Sequence, residues 1–248
     1  MKILTASNTA FELEKIKPKL AFLPIGATEQ HSRHLPLCTD TILSDALSTE
    51  LLSAVKWPGH IYLLPTLPIS TSAENTGYRG TISFTPVTMR AIIRDTYQSL
   101  AMSGIKQLIV CPWHGGNFIL KPVIRELNLE HGKCVVFHLN PWDHVPPEVL
   151  AIFSRGFEVH SGDFETSIML TVAPGQVRKD RRDNPIHGLD RAWMDMWSMK
   201  TLSRGEGHAG HPAQATVKKG LILRRSVIQQ AAAYLRKLLE NSRKYKRY

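Results

Sequence analysis

Glu29, His31, His34 and Asp40 share one short polar loop that begins where the apolar run Leu20 to Ile25 breaks at Gly26. The run has the length and composition of a buried strand. Carboxylates and imidazoles without a thiolate are hard-to-borderline metal ligands. The carboxyl end of a strand is where an open α/β sheet holds its ligand. The competing reading is that Glu29 and Asp40 cap turns or helices while the histidines are solvated.

Two further stretches carry the same residue types. The apolar run Gln107 to Cys111 leads into Pro112-Trp113-His114-Gly115-Gly116-Asn117 and then a helical pattern to about Glu130. The glycines allow close backbone approach, and Asn117 is a candidate cap for that helix. Their spacing matches neither a phosphate loop nor a dinucleotide fingerprint. The third stretch is His160-Ser161-Gly162-Asp163-Phe164-Glu165-Thr166-Ser167, with His160 before a helix and Glu165 in its first turns. Either both face a shared pocket, or Asp163 and Glu165 only complement the helix dipole.

Glu29, His31, Asp40, His114, His160 and Glu165 together suit one or two divalent ions of the zinc, manganese or iron kind. Asp40 can bridge two ions, leaving each one further acid and one imidazole. Such a pair activates a hydroxide and polarises a carbonyl oxygen. An unliganded histidine, here His160, would pass the proton to a leaving nitrogen. That is the chemistry of hydrolysing an amide-type C–N bond.

The elements that must position these residues alternate between strand and helix. A lead-in helix spans Ala10 to Lys15. After the first polar loop a helix runs from Asp40 to Val55, with Thr39 or Thr41 as its N-cap. A strand at Ile61 to Leu64 precedes a long polar connection, 66–85, of the kind that is usually functional. Pro86 opens a helix to about Ser103. Strands at 107–111 and 133–139 enclose the helix after Asn117. A helix starts near Glu148, and another ends near Val172. Residues 174–213, with Trp193 and Trp197, read as irregular; Ala213 to Leu239 reads as an amphipathic closing helix with Gly220 its weak point. The alternation predicts one α/β domain over 1–248, a three-layer α/β/α sandwich on a mostly parallel sheet. A basic tail occupies about 241–248.

Composition narrows the classes. The chain is 43% hydrophobic and 21% charged, as in globular proteins. Cys38, Cys111 and Cys134, an odd count without C-x-x-C spacing, argue against a disulfide framework and a thiolate zinc site. No apolar stretch is long enough for a membrane span and no signal peptide is recognisable, so a cytoplasmic location and no membrane partner are expected. The net charge is +10, half of it from Arg236, Lys237, Arg243, Lys244, Lys246 and Arg247 set against Glu240. That tail and the cluster Arg178-Lys179-Asp180-Arg181-Arg182 lack interleaved aromatics, so solvated surface is expected in place of nucleic-acid binding.

Three motifs carry a resemblance: Thr28-Glu29-Gln30-His31-x-x-His34-Leu35-Pro36-Leu37-x-Thr39-Asp40, His114-Gly115-Gly116-Asn117 and Phe164-Glu165-Thr166-Ser167. They resemble the creatininase (creatinine amidohydrolase) family, over about Leu23 to Gly220. Gly80-Thr81-Ile82-Ser83-Phe84 and Gly210-His211-Pro212-x-x-Ala215-Thr216-x-x-Lys219-Gly220 agree with it. The resemblance implies an α/β/α domain, homo-oligomers with a hexamer as one size, and a binuclear centre that hydrolyses small or cyclic amides. Zinc is the first expectation, with manganese or iron as alternatives. By matched motif, Glu29 and His114 would hold one ion, His31 and Glu165 the other, with Asp40 bridging and His160 as the acid/base.

The chain also departs from the pattern. Creatininase itself has a glutamate ligand where Gly116 stands and a tryptophan where Gly156 stands, which argues against creatinine as the substrate. Ser32-Arg33, Trp113 and His211 replace a common Gly-Pro, Gly and Asp. Arg33, Trp113, Asn117 and Trp142 are therefore candidates for lining a substrate pocket, one fitted to an anionic or planar small molecule. Relatives of the Gly-Gly form include hydrolases of formamide-bearing pyrimidines and peptidases that trim small modified peptides. The alternative to an enzyme is a catalytically silent binding or scaffold protein of this family.

Overall fold

The computed structural model describes residues 1–131, 135–153, 158–186 and 198–244, with side chains to 241. Cys134, Gly156, Trp193, Trp197 and residues 245–248 of the basic tail lie outside the described residues. Five strands form one sheet: β1 (Ile3–Leu4), β2 (Leu20–Ile25), β3 (Ile61–Leu63), β4 (Gln107–Pro112) and β5 (Val136–His138). Their order is β1-β3-β2-β4-β5 and every pairing is parallel. The chain builds outward from β2 to β3 on one side, then crosses to β4 on the other. The order therefore reverses between β2 and β4, which is where a parallel sheet opens a crevice at its carboxyl edge. Ile25 pairs with Pro112 there, so the loops after both strands leave from the same point.

Helices cover both faces, as a parallel sheet requires. Alternate residues of β4 point to opposite layers. Leu108 and Val110 join Met89, Ile93, Val123 and Leu127 of α3 (Pro86–Met102) and α4 (Leu120–Glu130). Ile109 and Cys111 face the layer of α2 (Thr39–Ala54), α6 (Asp163–Val172) and α8 (Val217–Lys244). The short helices α1 (Ala10–Ile16), α5 (Pro147–Leu150) and α7 (Met199–Leu202) complete the described α-helices. No described helix is long and apolar enough to cross a membrane.

Several boundaries differ from expectation for local reasons. Neither Thr39 nor Thr41 caps α2: Cys38 holds the N-cap position without a side-chain bond, and the Thr39 hydroxyl donates to the Pro36 carbonyl at 2.6 Å. Asn117 does not cap α4 through its side chain. Its Oδ1 accepts from Thr71 at 3.1 Å, while Ile119 stands at the N-cap position. The closing helix begins at Val217, after a 3-10 turn at Pro212–Gln214, because Thr216 Oγ1 accepts the Lys219 amide at 3.2 Å. Gly220 lies inside that helix by necessity. A β-carbon there would collide with the Ser167 carbonyl of α6, so the glycine lets the two helices meet.

Candidate metal centre

The first loop is held close to its helix by Gly26. A β-carbon on that residue would lie 2.7 Å from the backbone N and Cα of Thr41. Only glycine lets the start of α2 pack against the end of β2. Asp40 sits in the first turn of α2, where the helix dipole favours an anion, and is buried. His31 and Glu29 come from the loop itself, and both are fully buried.

The two oxygens of Asp40 face opposite ways. Oδ1 lies 3.7 Å from His31 Nε2, which is also 3.5 Å from Glu165 Oε1. Oδ2 lies 3.2 Å from His114 Nδ1, which is also 3.3 Å from Glu29 Oε1. Each imidazole has its tautomer set by a backbone carbonyl. His31 Nδ1–H donates to Glu29 O at 3.0 Å, and His114 Nε2–H donates to Thr71 O at 2.9 Å. The nitrogen left with a lone pair is in both cases the one turned toward the carboxylates. Glu165 is fixed by the Ser161 amide on Oε2 at 2.7 Å, and Glu29 by Asn75 Nδ2 on Oε2 at 3.0 Å. Each glutamate thus turns Oε1 inward.

Three converging atoms, Glu29 Oε1, His31 Nε2 and Asp40 Oδ2, are buried without a hydrogen-bond partner. Orphaned lone pairs in such numbers are costly unless a cation sits among them. Protons take that part otherwise. Burial opposes a charged His31, yet Glu165 and Asp40 outweigh it and push the imidazole well above its usual range. Burial likewise opposes a charged His114, but Glu29 and Asp40 raise it to about 10. Asp40 is held well below the carboxylate range by the two histidines despite its burial. Burial dominates at Glu29 and raises it, whereas His31 outweighs burial at Glu165 and lowers it. Acids and imidazoles that hold one another charged this way form a donor set that fits divalent ions.

His160 adjoins the set. Its Nε2–H donates to the Gln30 carbonyl at 2.6 Å, and its Nδ1 lies 3.6 Å from Glu29 Oε1. Its ring centroid is 4.5 Å from that of His31. Ser32 and Ser161, each the residue after a histidine of the site, have φ of 56° and 52°. Left-handed backbone at non-glycine residues turns the chain sharply and marks strained segments. Asp163 is turned away, with Ser167 and Lys219 as partners.

The remaining candidates have partners of their own. Trp113 is 1% exposed and donates from its indole to Ser48 Oγ at 2.8 Å, within the core. Trp142 packs edge-on against it and donates to its carbonyl at 3.0 Å. Arg33 is engaged by Glu206 at 2.5 Å and Asp180 at 3.7 Å. His211 pairs with Asp183 at 3.2 Å. Reading by motif left Glu74 and Asn75 without a role, although the 66–85 connection that carries them stands out by length. Gln30, inside the first motif, proves to be a brace: Nε2 donates to Asn75 Oδ1 at 2.6 Å and to Gly207 O at 2.7 Å.

Residues 6–235 match the family model described as creatininase, creatinine amidohydrolase. A mycofactocin precursor peptide peptidase of Mycobacterium ulcerans is 29% identical over 182 residues, 71% of this chain and 66% of that protein. A creatinine amidohydrolase of Pseudomonas putida is 31% identical over 176 residues, 64% of this chain and 66% of that protein. The chain thus spans just under two thirds of the length of these curated relatives. Among solved structures, a mutant creatininase of the Zn-Zn type superposes with a TM-score of 0.80 at 23% identity, covering 96% of this chain and 99% of its own. At that identity the superposition speaks to the fold, a parallel sheet between helical layers. With the family model matched over nearly its whole length, the chain belongs to the creatininase family.

Proposed function

We propose that this chain is a metal-dependent amidohydrolase acting on a small or cyclic amide C–N bond. One observation carries the reading: the oxygens of Asp40 divide between His31 with Glu165 and His114 with Glu29. His31, Glu165 and Asp40 Oδ1 would hold one ion; His114, Glu29 and Asp40 Oδ2 would hold the other. Bound divalent ions supply Lewis-acid polarisation of a carbonyl oxygen and a water acidified toward neutrality. Zinc suits the donor set, and a similar fold is known in a Zn-Zn form.

The chain's own residues would do the rest. His160 is held by Gln30 through Nε2, which leaves Nδ1 to receive a proton beside Glu29 and return it to the leaving nitrogen. The carbonyls of Glu29 and Thr71 keep His31 and His114 in their ligating tautomers. The expected partner is a small-molecule substrate, and a homo-oligomer is the expected assembly.

The test is metal content per chain in the wild type, Asp40→Ala and His114→Ala, followed by an amide substrate screen that includes His160→Ala. Near two ions in the wild type, a collapse in the two ligand variants, and lost turnover with retained metal in His160→Ala are expected. Wild type that stays empty after reconstitution with zinc and manganese would overturn the reading and favour a silent binding protein.

A further inference from the structure

Glu74 belongs to no motif used above, yet its carboxylate approaches the centre from a fourth loop. Oε1 lies 3.7 Å from His114 Nε2, the nitrogen whose hydrogen goes to the Thr71 carbonyl, so Glu74 stands beside the imidazole edge next to its ligating Nδ1; the side chain is only 12% exposed. Atoms of Glu29, Glu74 and His114 gather within 4.8 Å of one another, a grouping able to hold a cation. Within that grouping Glu29 Oε1 is buried and lacks a hydrogen-bond partner.

The space for Glu74 is made by a glycine. A β-carbon on Gly116 would collide with Glu74 Oε1 and come within 2.5 Å of His114 Nε2. Gly116 is absent from the positive-φ residues, so space and not backbone conformation explains its small size. The loop that delivers Glu74 is fastened on both sides of it. Thr71 Oγ1 donates to Gly116 O at 2.9 Å, and Asn75 Nδ2 donates to Glu29 Oε2 at 3.0 Å. Between these anchors, Ala73–Asn75 form one 3-10 turn that aims Glu74 inward. A partly buried acid set this way, beside His114 and Glu29, would otherwise add negative charge with little solvent to screen it.

We infer that Glu74 is a metal-binding carboxylate on the His114 side of the centre, admitted by Gly116 and aimed by the Thr71 and Asn75 anchors. This rests on the reading of the cluster as a divalent-metal site. It gives that side four donors, Glu29, Asp40, His114 and Glu74, against three on the His31 side.

The test uses the full chain and its Glu74→Gln variant, which keeps shape and removes charge, with Glu74→Ala beside it. Zinc binding is measured by chelator competition, and the d–d absorption of the Co(II)-loaded protein is recorded. One of two equivalents should bind at least tenfold more weakly in both variants, with a changed cobalt band. In a His114→Ala background the Glu74 change should add nothing. Wild-type affinity in the variants overturns the inference and leaves the two-ion reading intact. Weakened binding with an unchanged cobalt band also overturns it, placing Glu74 outside the coordination sphere. A wild type that binds neither metal overturns both.

Discussion

Asn75 donates to Glu29 Oε2 at 3.0 Å, and that bond leaves Oε1 as the glutamate oxygen turned toward His114. Asn75 is itself held by Gln30 at 2.6 Å. Groups that orient a ligand in this way contribute about 10–100-fold to metal affinity. Asn75→Ala should therefore weaken zinc binding by about that factor while stoichiometry stays unchanged, as read by chelator competition. Asn75→Asp should be worse, because it places a like charge against Glu29.

Removing metal should be visible in stability. Ions bound only by the folded state stabilise it by about 2.7 kcal/mol when free metal is a hundredfold above the dissociation constant. For a chain of this size that corresponds to a rise of about 5–10 °C in the unfolding midpoint. Scanning calorimetry of chelated and reconstituted protein should show this difference in the wild type and its absence in Asp40→Ala.

Gly26→Ala probes the join between β2 and α2. Its β-carbon would meet the Thr41 backbone at 2.7 Å, so the helix start must shift. Overpacking of this kind costs about 1–3 kcal/mol. The denaturation midpoint should fall accordingly, and metal uptake should fall with it because Asp40 moves with the helix. A stable variant with wild-type uptake would contradict this account of the glycine.

His34 gives the metal-free protein a pH dependence. Burial, with His208 nearby, lowers its pKa from 6.5 to about 4, and its Nε2–H donates to the Ser161 carbonyl at 2.9 Å. A depressed value means that the neutral ring is the one the fold favours. Its contribution is complete above pH 6.5 and is lost as the pH falls through about 4. The unfolding midpoint of chelated wild type should drop across that window, and His34→Gln should flatten the drop.

Lys219 and Asp163 form an ion pair whose acid is fully buried. Removing Lys219 takes away the ammonium that faces this buried carboxylate, at a cost of about 3 kcal/mol. Lys219→Met should lower stability by about this amount in urea unfolding. The loss should be smaller in Lys219→Met combined with Asp163→Asn.

Much of the fold is legible in the chain because its strands are apolar runs of the right length. The stretch Leu20 to Ile25 is a strand end to end, fully buried, and Gln107 onward is its parallel neighbour. Glu29, His31, Asp40, His114, His160 and Glu165 are found together because strand ends and helix starts are marked by Gly26, by Gly115-Gly116 and by the acid-rich opening of α6. Other features are decided by partners far away in sequence. Trp113 follows a strand as a pocket wall would, but Ser48 of α2 satisfies its indole within the core. Arg33 looks free in its loop until Glu206 is brought against it. Glu74 and Asn75 sit in a stretch without periodicity, and only the fold of 71–75 over Gly116 reveals them.

Gly220 bears on the evolution of such a centre. It has no polar side-chain atom and lies in the long closing helix, yet the Ser167 carbonyl it accommodates is on α6, close behind Glu165. The helix turn that carries Glu165 is thus backed by a close contact between two helices. Under the proposed function, substitution at 220 should weaken metal uptake as well as stability, although a survey restricted to ligands would pass over the position. On that reading, constraint on the site reaches into the scaffold, and it covers more residues than those that touch the site.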